Sequence, residues 1–246
     1  MLAELANLIL RAERGVVLTG AGISAESGVP TFRGKEGLWG KFKPEELATM
    51  DAFLANPKIV WEWYNWRRQL LRDVKPNPGH YALVELGSFF PRFTLVTQNV
   101  DGLHQMAGAT DVLELHGNIN RNKCAACGRL VPLEVDIDPD DIPACPACGG
   151  QIRPDVVWFG EMLPEEAIEA AFQRSEEADI FFSIGTSAIV HPAASLPTVA
   201  KRHGATLVEI NPEPTPLSSL ADFRFAAPAG ELLPQLVAKV KEGAVA

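Results

Sequence analysis

Residues 15–33 read Gly-Val-Val-Leu-Thr-Gly-Ala-Gly-Ile-Ser-Ala-Glu-Ser-Gly-Val-Pro-Thr-Phe-Arg, and this stretch decides the fold. The apolar run Val16-Val17-Leu18 is typical of a buried strand, and Gly20-Ala21-Gly22-Ile23-Ser24-Ala25 follows almost at once. A strand that breaks into G-x-G-x-x-A predicts the phosphate-binding turn of a dinucleotide-binding fold. Glycine permits positive φ and lets the backbone approach a pyrophosphate closely. A tight strand-to-helix turn without a ligand explains this motif about equally well.

The residues after this stretch depart from the standard dinucleotide-binding fingerprint. That fingerprint expects a second strand that ends in Asp or Glu about 20 residues further on. Residues 30–40 are instead polar and glycine-rich, and the next clear strand pattern is Phe93-Thr94-Leu95-Val96-Thr97. The sequence therefore predicts a Rossmann-like opening with an insertion. A long loop beside a cofactor turn also predicts a lid.

The composition limits the class of protein. The chain has 246 residues, of which 47% are hydrophobic and 22% are charged, which predicts one large domain with a small appendage. The formal net charge of −9 argues against direct nucleic-acid binding, because affinity for phosphate backbones needs a cationic face. No apolar run approaches the ~20 residues of a membrane span, and residues 2–14 lack the pattern of a signal peptide. We therefore expect a cytoplasmic protein without a membrane partner.

Strand-like and helical stretches alternate along most of the chain. Helix starts are indicated by Asn56-Pro57, where Asn can cap the helix and Pro can take its first position, and by Pro164-Glu165-Glu166. This alternation predicts a parallel sheet with helices on both faces. Strands are predicted at 16–19, 93–97, 111–115, 156–158, 180–184, 206–210 and 223–226.

The four cysteines of the chain form one pattern. Cys124-x-x-Cys127 is followed after 17 residues by Cys145-x-x-Cys148, which is the spacing of a four-thiolate zinc site. Two disulfides or a redox pair are the alternatives, but nothing in the sequence indicates an oxidising compartment. Four thiolates complete a tetrahedral zinc and leave no position for water, so the predicted metal is structural.

Two segments interrupt the alternation and predict a second, smaller lobe. Residues 34–78 are helical and aromatic-rich, and residues 118–154 are rich in Cys, Pro and Asp. The predicted fold class is therefore α/β. Residues 1–33, 79–117 and 155–246 are assigned to a Rossmann-like NAD-binding domain, residues 34–78 to a helical insertion with the lid loop, and residues 118–154 to the zinc-binding small domain. A cleft between the lobes would lie at the carboxyl ends of the strands, where such sheets bind their ligands.

Polar residues follow several of the predicted strands. One such strand end is weak evidence, because Asn and Asp also cap helices, and for Asp101 alone a cap is the better interpretation. Several strand ends that converge on one edge of a sheet indicate a site. His80 and His104 are interpreted as structural and His203 as a surface residue. The polar strand ends are Gln98-Asn99-Val100-Asp101, His116-Gly117, Gly185-Thr186-Ser187 and Asn211-Pro212-Glu213.

Taken in order, these motifs resemble the sirtuins, a family of NAD-dependent protein lysine deacylases. The resemblance covers roughly residues 15–230 and rests on five separate motifs besides the cysteines. It implies one structural Zn²⁺, and NAD⁺ as a co-substrate that lies across the cleft. The residues implied to bind NAD are Gly20, Ala21, Gly22, Ser24, Thr31, Phe32, Arg33, Trp39, Gln98, Asn99, Val100, Asp101, Gly185, Thr186, Ser187, Asn211, Pro212, Glu213 and Ala229.

The resemblance also implies the reaction. The acyl-lysine carbonyl oxygen attacks the anomeric carbon of the nicotinamide ribose, and nicotinamide leaves. His116, as general base, then activates a ribose hydroxyl, which attacks the bound acyl group and yields free lysine and O-acyl-ADP-ribose. A neutral imidazole suits that role near pH 7. The acyl-lysine protein or peptide is implied to bind as an added strand along Val157, Trp158, Phe159 and Gly160.

Tyr64 and Arg67 refine the expected substrate. They are three residues apart, so they face the same side of a predicted helix, and Tyr-x-x-Arg resembles the sirtuins that remove succinyl and malonyl groups. The alternative is an aromatic core helix with an arginine that extends to the surface, which the three Trp residues at 61, 63 and 66 also favour. We expect the acyl-binding role, with acetyl as the weaker substrate.

Other classes of protein share part of these features. An NAD dehydrogenase would share the cofactor turn, but the acidic residue after a second strand is missing here. A non-catalytic zinc-ribbon module would explain the cysteines alone. A protein that is mainly a deacetylase, or one that transfers ADP-ribose to protein, would use the same first bond cleavage.

Overall fold

The computed structural model describes residues 1–31, 37–40, 42–132 and 136–245, and of Trp39 it describes the backbone only. The helices are α1 (Leu2–Ile9), α2 (Gly22–Ala25), α3 (Pro44–Leu47), α4 (Met50–Ala55), α5 (Pro57–Leu71), α6 (Pro78–Gly87), α7 (Leu103–Met106), α8 (Glu165–Glu177), α9 (Leu196–Arg202) and α10 (Ala229–Val245). The strands are β1 (Arg14–Thr19), β2 (Arg92–Thr97), β3 (Leu113–Glu114), β4 (Gly117–Cys124), β5 (Leu130–Val131), β6 (Ile152–Val156), β7 (Ile180–Ile184), β8 (Thr206–Ile210) and β9 (Phe223–Phe225). Among the described helices, none is long and apolar enough to cross a membrane.

The larger sheet is parallel, and its strand order within the described residues is β3-β2-β1-β7-β8-β9. Strand β1 pairs with β2 on one side and with β7 on the other, always in parallel register. Strands β2 and β3 therefore extend the sheet on one side of β1, and strands β7, β8 and β9 later extend it on the other side. Open α/β sheets bind ligands outside the carboxyl ends of the strands at such a reversal. The predicted α/β fold class is confirmed, and the reversal lies beside the Gly20-Ala21-Gly22 turn.

Both faces of this sheet are covered by helices, as the alternation predicts. Val17 and Phe182 are fully buried in a cluster with residues of α1, α6 and α10. Leu18 and Phe181, their neighbours along the strands, are buried on the other face in a cluster with residues of α8 and α9. Successive strand residues point to opposite faces, so a strand buried on both faces reads as an uninterrupted apolar run.

The strand predicted at 156–158 is wrong. The observed strand β6 ends at Val156 and pairs antiparallel with β4 in a separate three-stranded sheet of order β5-β4-β6. The polar residues of β6 contact β4, since Asp155 forms ion pairs with Arg121 and Lys123. The strand predicted at 111–115 is also shorter, because the backbone of Asp111 has φ of +52°, which is incompatible with an extended strand.

Helix α5 lies within the aromatic-rich segment 34–78 and packs against the three-stranded sheet. It begins as predicted, with Pro57 at its first position and the Asn56 side chain accepting the backbone N–H of Ile59 at 3.2 Å. The indole of Trp61 donates to Ile152 O at 3.1 Å, and the buried guanidinium of Arg68 donates to Ile119 O at 2.7 Å. The helix is thus fixed against β4 and β6 by directed hydrogen bonds.

Candidate active site

The glycine turn after β1 packs directly against the turn after β7. Gly22 N donates to Gly185 O at 2.8 Å. A Cβ atom at Gly20 would lie 2.8 Å from Gly185 O, and one at Gly22 would lie 2.7 Å from Gly185 Cα. Of these three glycines only Gly185 has a positive φ, +58°. Gly20 and Gly22 are therefore required by the close approach of the two turns and not by a positive φ.

A cavity of about 600 Å³ lies at this edge of the sheet. It receives residues from the carboxyl ends of β1, β2, β7 and β8 and from helix α5. Most of the residues predicted as a site converge on it. Those that line it are Gly20, Ala21, Gly22, Thr31, Tyr64, Arg67, Gln98, Asn99, Val100, His116, Val157, Trp158, Phe159, Gly160, Gly185, Thr186, Ser187, Asn211 and Glu213.

Four predicted residues do not line the cavity. The buried Ser24 and Asp101 lie behind it, where Ser24 Oγ donates to Asp101 Oδ2 at 2.8 Å and accepts from Asn99 Nδ2 at 3.2 Å. Asp101 Oδ1 also accepts the backbone N–H of Leu103, the first residue of α7, at 3.0 Å, and burial raises the pKa of its carboxyl. Ala229 is buried in the core and Pro212 is exposed.

Three further residues that were predicted to bind NAD cannot be located relative to the cavity. Phe32 and Arg33 lie outside the described residues, as does the side chain of Trp39. The predicted lid loop therefore stays a prediction.

Side-chain hydrogen bonds connect the polar strand ends to one another. Gln98 Nε2 donates to Thr186 Oγ1 at 2.9 Å, and Asn211 Nδ2 donates to Thr186 O at 2.8 Å. The amide of Asn99 donates to Gly20 O at 3.1 Å. These contacts hold four strand ends in fixed relative positions, as a site with pre-organised binding groups requires.

His116 follows β3 and lines the cavity. Its Nδ1 lies 2.9 Å from Gln98 O, a carbonyl that can only accept, so Nδ1 carries the proton of the neutral ring. Burial lowers the pKa of His116, and the hydrogen bond to Gln98 only partly offsets this. The ring is therefore neutral at pH 7 with an unprotonated Nε2, which is the state a general base needs.

The wall of the cavity that helix α5 supplies is aromatic and carries a buried cation. Tyr64 is 1% exposed, and its hydroxyl accepts the indole N–H of Trp158 at 2.8 Å. Arg67 is 7% exposed, and its Cζ lies 4.9 Å from the ring centroid of Trp63. Burial lowers the pKa of Arg67, because the desolvated guanidinium is less stable than one in water. A buried cation of this kind favours an anionic partner in the cavity.

The segment after β6 contacts both the turn after β3 and the residues that precede α4. Val157 N donates to His116 O and Phe159 N donates to Ala48 O, each at 2.9 Å. Phe159 forms an isolated parallel bridge with Thr49 and remains 48% exposed. An exposed, extended segment beside the cavity is suited to pairing with a further strand.

Sequence reasoning missed residues that line or support the cavity. Ile189 and His191 line it, and no local pattern distinguishes them. Glu209 is 1% exposed, and its carboxylate accepts from Ser218 Oγ at 2.6 Å and from Thr215 Oγ1. It thereby holds the 211–218 loop, whose first half lines the cavity. The sequence signal for Glu209 is a carboxylate between Val208 and Ile210 in an otherwise apolar strand.

The four cysteines come together at the tip of the three-stranded sheet. Their Sγ atoms all lie within 4.8 Å of one another, with Cys124 and Cys148 at 3.5 Å and Cys127 and Cys145 at 3.9 Å. Tetrahedral zinc with Zn–S bonds of about 2.3 Å needs sulfur atoms about 3.8 Å apart, so the cluster fits this ion. The backbone N–H of Ala126 donates to Cys124 Sγ at 3.4 Å, a contact that favours the thiolate that zinc binds.

Comparison with known proteins identifies the family. The Sir2 family profile matches residues 20–192. The chain belongs to the Sir2 family. The NAD-dependent protein deacylase of Aquifex aeolicus is 53% identical over 232 residues, which are 92% of this chain and 95% of that protein.

Solved Sir2 structures have the same fold over nearly all of the chain. A mutant Sir2 homologue in complex with ADP-ribose superposes with a TM-score of 0.94 at 43% identity, and the match covers 98% of this chain and 97% of the other. A Sir2 complex with a p53 peptide and NAD⁺ superposes with a TM-score of 0.81 at 31% identity over 100% of both chains. The expected sirtuin resemblance is confirmed.

Proposed function

We propose that this Sir2 protein is an NAD-dependent protein lysine deacylase that prefers succinyl and malonyl groups to acetyl. The deacylase class is supported by the Aquifex aeolicus relative, which carries that name at 53% identity. The preference for acidic acyl groups rests on one observation. The buried guanidinium of Arg67 and the hydroxyl-bearing Tyr64 line the same cavity as His116.

The residues at the sheet edge fit NAD as the co-substrate. The two packed turns around Gly22 and Gly185 both line the cavity, where their backbone can approach a pyrophosphate. Asn211 and Glu213 would hold the adenosine ribose, and Gln98 and Asn99 the nicotinamide end. NAD supplies the anomeric carbon from which nicotinamide leaves and to which the acyl oxygen bonds. One relative in the Sir2 family was solved with both NAD⁺ and a peptide, which supports this arrangement.

His116 would act as the general base. Its Nδ1 proton is fixed on Gln98 O, so Nε2 is the atom that accepts a proton from the ribose hydroxyl. Because burial keeps the ring neutral at pH 7, no prior proton loss is needed.

The acyl-lysine peptide would bind along residues 157–160 and insert its side chain toward Tyr64 and Arg67. An isolated carboxylate is costly to bury, and Arg67 can meet it with two parallel N–H···O bonds. Tyr64 can add its hydroxyl proton. An acetyl group has no charge for these groups to bind, which is how a polar site discriminates against it.

Mass spectrometry of the products tests the proposal. The protein is incubated with NAD⁺ and either a succinyl-lysine or an acetyl-lysine peptide of the same sequence. We expect nicotinamide, free lysine peptide and O-succinyl-ADP-ribose, with a higher kcat/KM for the succinyl peptide. A faster reaction of the acetyl peptide would identify a deacetylase, and a peptide that gains ADP-ribose would identify a transferase. Absorbance from reduced nicotinamide would identify a dehydrogenase.

A further inference from the structure

Trp158 belongs to two parts of the site at once. Its backbone lies in the 157–160 segment, whereas its side chain extends away and is 2% exposed. The indole lies 6.4 Å from the Tyr64 ring and 5.3 Å from the Phe53 ring, measured between centroids. The indole N–H donates to the Tyr64 hydroxyl at 2.8 Å. A residue assigned to peptide binding therefore also contacts the acyl-binding wall.

The direction of this hydrogen bond fixes the Tyr64 hydroxyl. An indole nitrogen can only donate, and a phenol has one proton and two acceptor lone pairs. The phenol O–H prefers the plane of the ring and so has two main orientations. The orientation that points toward Trp158 would set two protons against each other, so the Tyr64 proton is directed to the opposite side. Burial raises the pKa of Tyr64, so the hydroxyl keeps this proton at neutral pH.

An ion pair between the buried Arg153 and the partly exposed Glu161 holds the indole in place. The guanidinium Cζ of Arg153 lies 3.3 Å from the Trp158 ring centroid, and the Arg153 side chain is 1% exposed. Arg153 binds both carboxylate oxygens of Glu161, and Glu161 Oε2 accepts the backbone N–H of Trp158 at 2.7 Å. The ring stack and the backbone contact together fix where the indole N–H points.

We propose that Trp158 is a positioning residue for acyl selectivity, which orients the Tyr64 hydroxyl proton toward the carboxylate of a succinyl or malonyl group. This inference rests on the proposed function, because it concerns how the same cavity binds an acidic acyl chain. Trp158 acts through Tyr64 and contributes no group of its own to the acyl carboxylate.

The experiment compares Trp158→Phe, Tyr64→Phe and the double variant. Trp158→Phe keeps an aromatic ring and removes the N–H donor. The readout is the ratio of kcat/KM for the succinyl peptide to that for the acetyl peptide. We expect Trp158→Phe to lower this ratio by about 3- to 10-fold, the range for one hydrogen bond. In the Tyr64→Phe background it should lower the ratio no further, because there is no hydroxyl left to orient.

Phe53→Leu is the matched control, because Phe53 packs on the same indole but forms no hydrogen bond with it. In Phe53→Leu the ratio of kcat/KM for the succinyl peptide to that for the acetyl peptide should equal the wild-type ratio. Independent losses from the Trp158 and Tyr64 changes would overturn the inference, and so would a Trp158→Phe ratio equal to the wild-type ratio. A wild type with no succinyl preference would instead refute the proposed function, and this inference with it.

A second measurement applies if Trp158→Phe does not fold. Hydrogen exchange of the indole protons is followed by NMR in the wild type and in Tyr64→Phe. Loss of the Tyr64 hydroxyl should make one indole proton exchange faster. If every indole proton exchanges at the wild-type rate, the hydrogen bond does not order the hydroxyl and the inference is overturned.

Discussion

Replacing Arg67 by Met tests the acyl-binding wall most directly. Methionine keeps much of the length of the side chain and removes its charge. Because Arg67 is 7% exposed, a succinyl carboxylate that meets it is shielded from water, and the pair counts as buried. Truncating one partner of a buried, hydrogen-bonded charge pair costs about 2–5 kcal/mol, of which much is the penalty for the charge left behind. At ~1.4 kcal/mol per factor of ten, this predicts at least a roughly 30-fold loss of kcat/KM for the succinyl peptide.

The acetyl peptide gives the expected contrast. An acetyl group has no carboxylate and therefore forms no ion pair that Arg67→Met could remove. The kcat/KM for the acetyl peptide should therefore stay the same or rise in Arg67→Met. The assay measures kcat/KM for succinyl and acetyl peptides of one sequence, with nicotinamide release as the readout.

Arg68→Met is the matched control. It makes the same change at the next residue, which is 3% exposed but binds Ile119 O and Asn122 Oδ1 in β4. Arg68→Met should lower stability and reduce both activities by the same factor. If Arg67→Met also reduced both activities equally, Arg67 would support the helix rather than select the acyl group.

Three further outcomes are expected. Cys145→Ser should lose about one zinc per chain and lower the melting temperature, because metal binding and folding are coupled; unchanged zinc content by atomic absorption would contradict this. His116→Ala should lower kcat about 10²–10⁴-fold with little change in stability. In the wild type the rate should rise with pH as His116 loses its proton, because the base must be neutral. Since burial lowers the pKa of His116, the midpoint of this rise should lie below the ordinary imidazole pKa of about 6.5. A rate still rising above pH 7.5 would oppose that assignment. Desolvation lowers the pKa of His80 to about 4 and of His104 to about 3, so the unfolded chain binds more protons below pH ~6.5. The free energy of unfolding in urea should therefore be full above that pH and smaller at pH 5, and equal values at pH 5 and pH 7.5 would show that these rings are not buried neutral.

The sequence predicts those features that local spacing determines. The apolar runs of β1 and β7 indicate strands buried on both faces, and the two Cys-x-x-Cys pairs predict a cluster that the fold brings within 4.8 Å. The polar strand ends converge because parallel strands place their carboxyl ends at one edge. Each of these inferences needs only a few neighbouring residues and one rule of geometry.

Features that depend on distant partners could not be predicted in the same way. Gly20 and Gly22 are glycines because Gly185, far along the chain, packs against them. The strand expected at 156–158 has the right composition, but its position is set by pairing with β4. The contacts of Glu161 with Arg153 and with the Trp158 backbone likewise appear only once the chain has folded.

Helix α5 shows why Tyr64 and Arg67 allowed two interpretations. An aromatic core helix and an acyl-binding helix were expected to exclude each other. In the structure Trp61 and Tyr64 belong to one buried cluster with residues of β4 and β6, and Tyr64 and Arg67 also line the cavity. The core of the small lobe and the wall of the site are therefore the same layer of side chains. A buried cation is expensive in such a layer, and Arg67 also lines the cavity, so an anionic acyl group that enters there would gain a charge-assisted partner that an acetyl group cannot use.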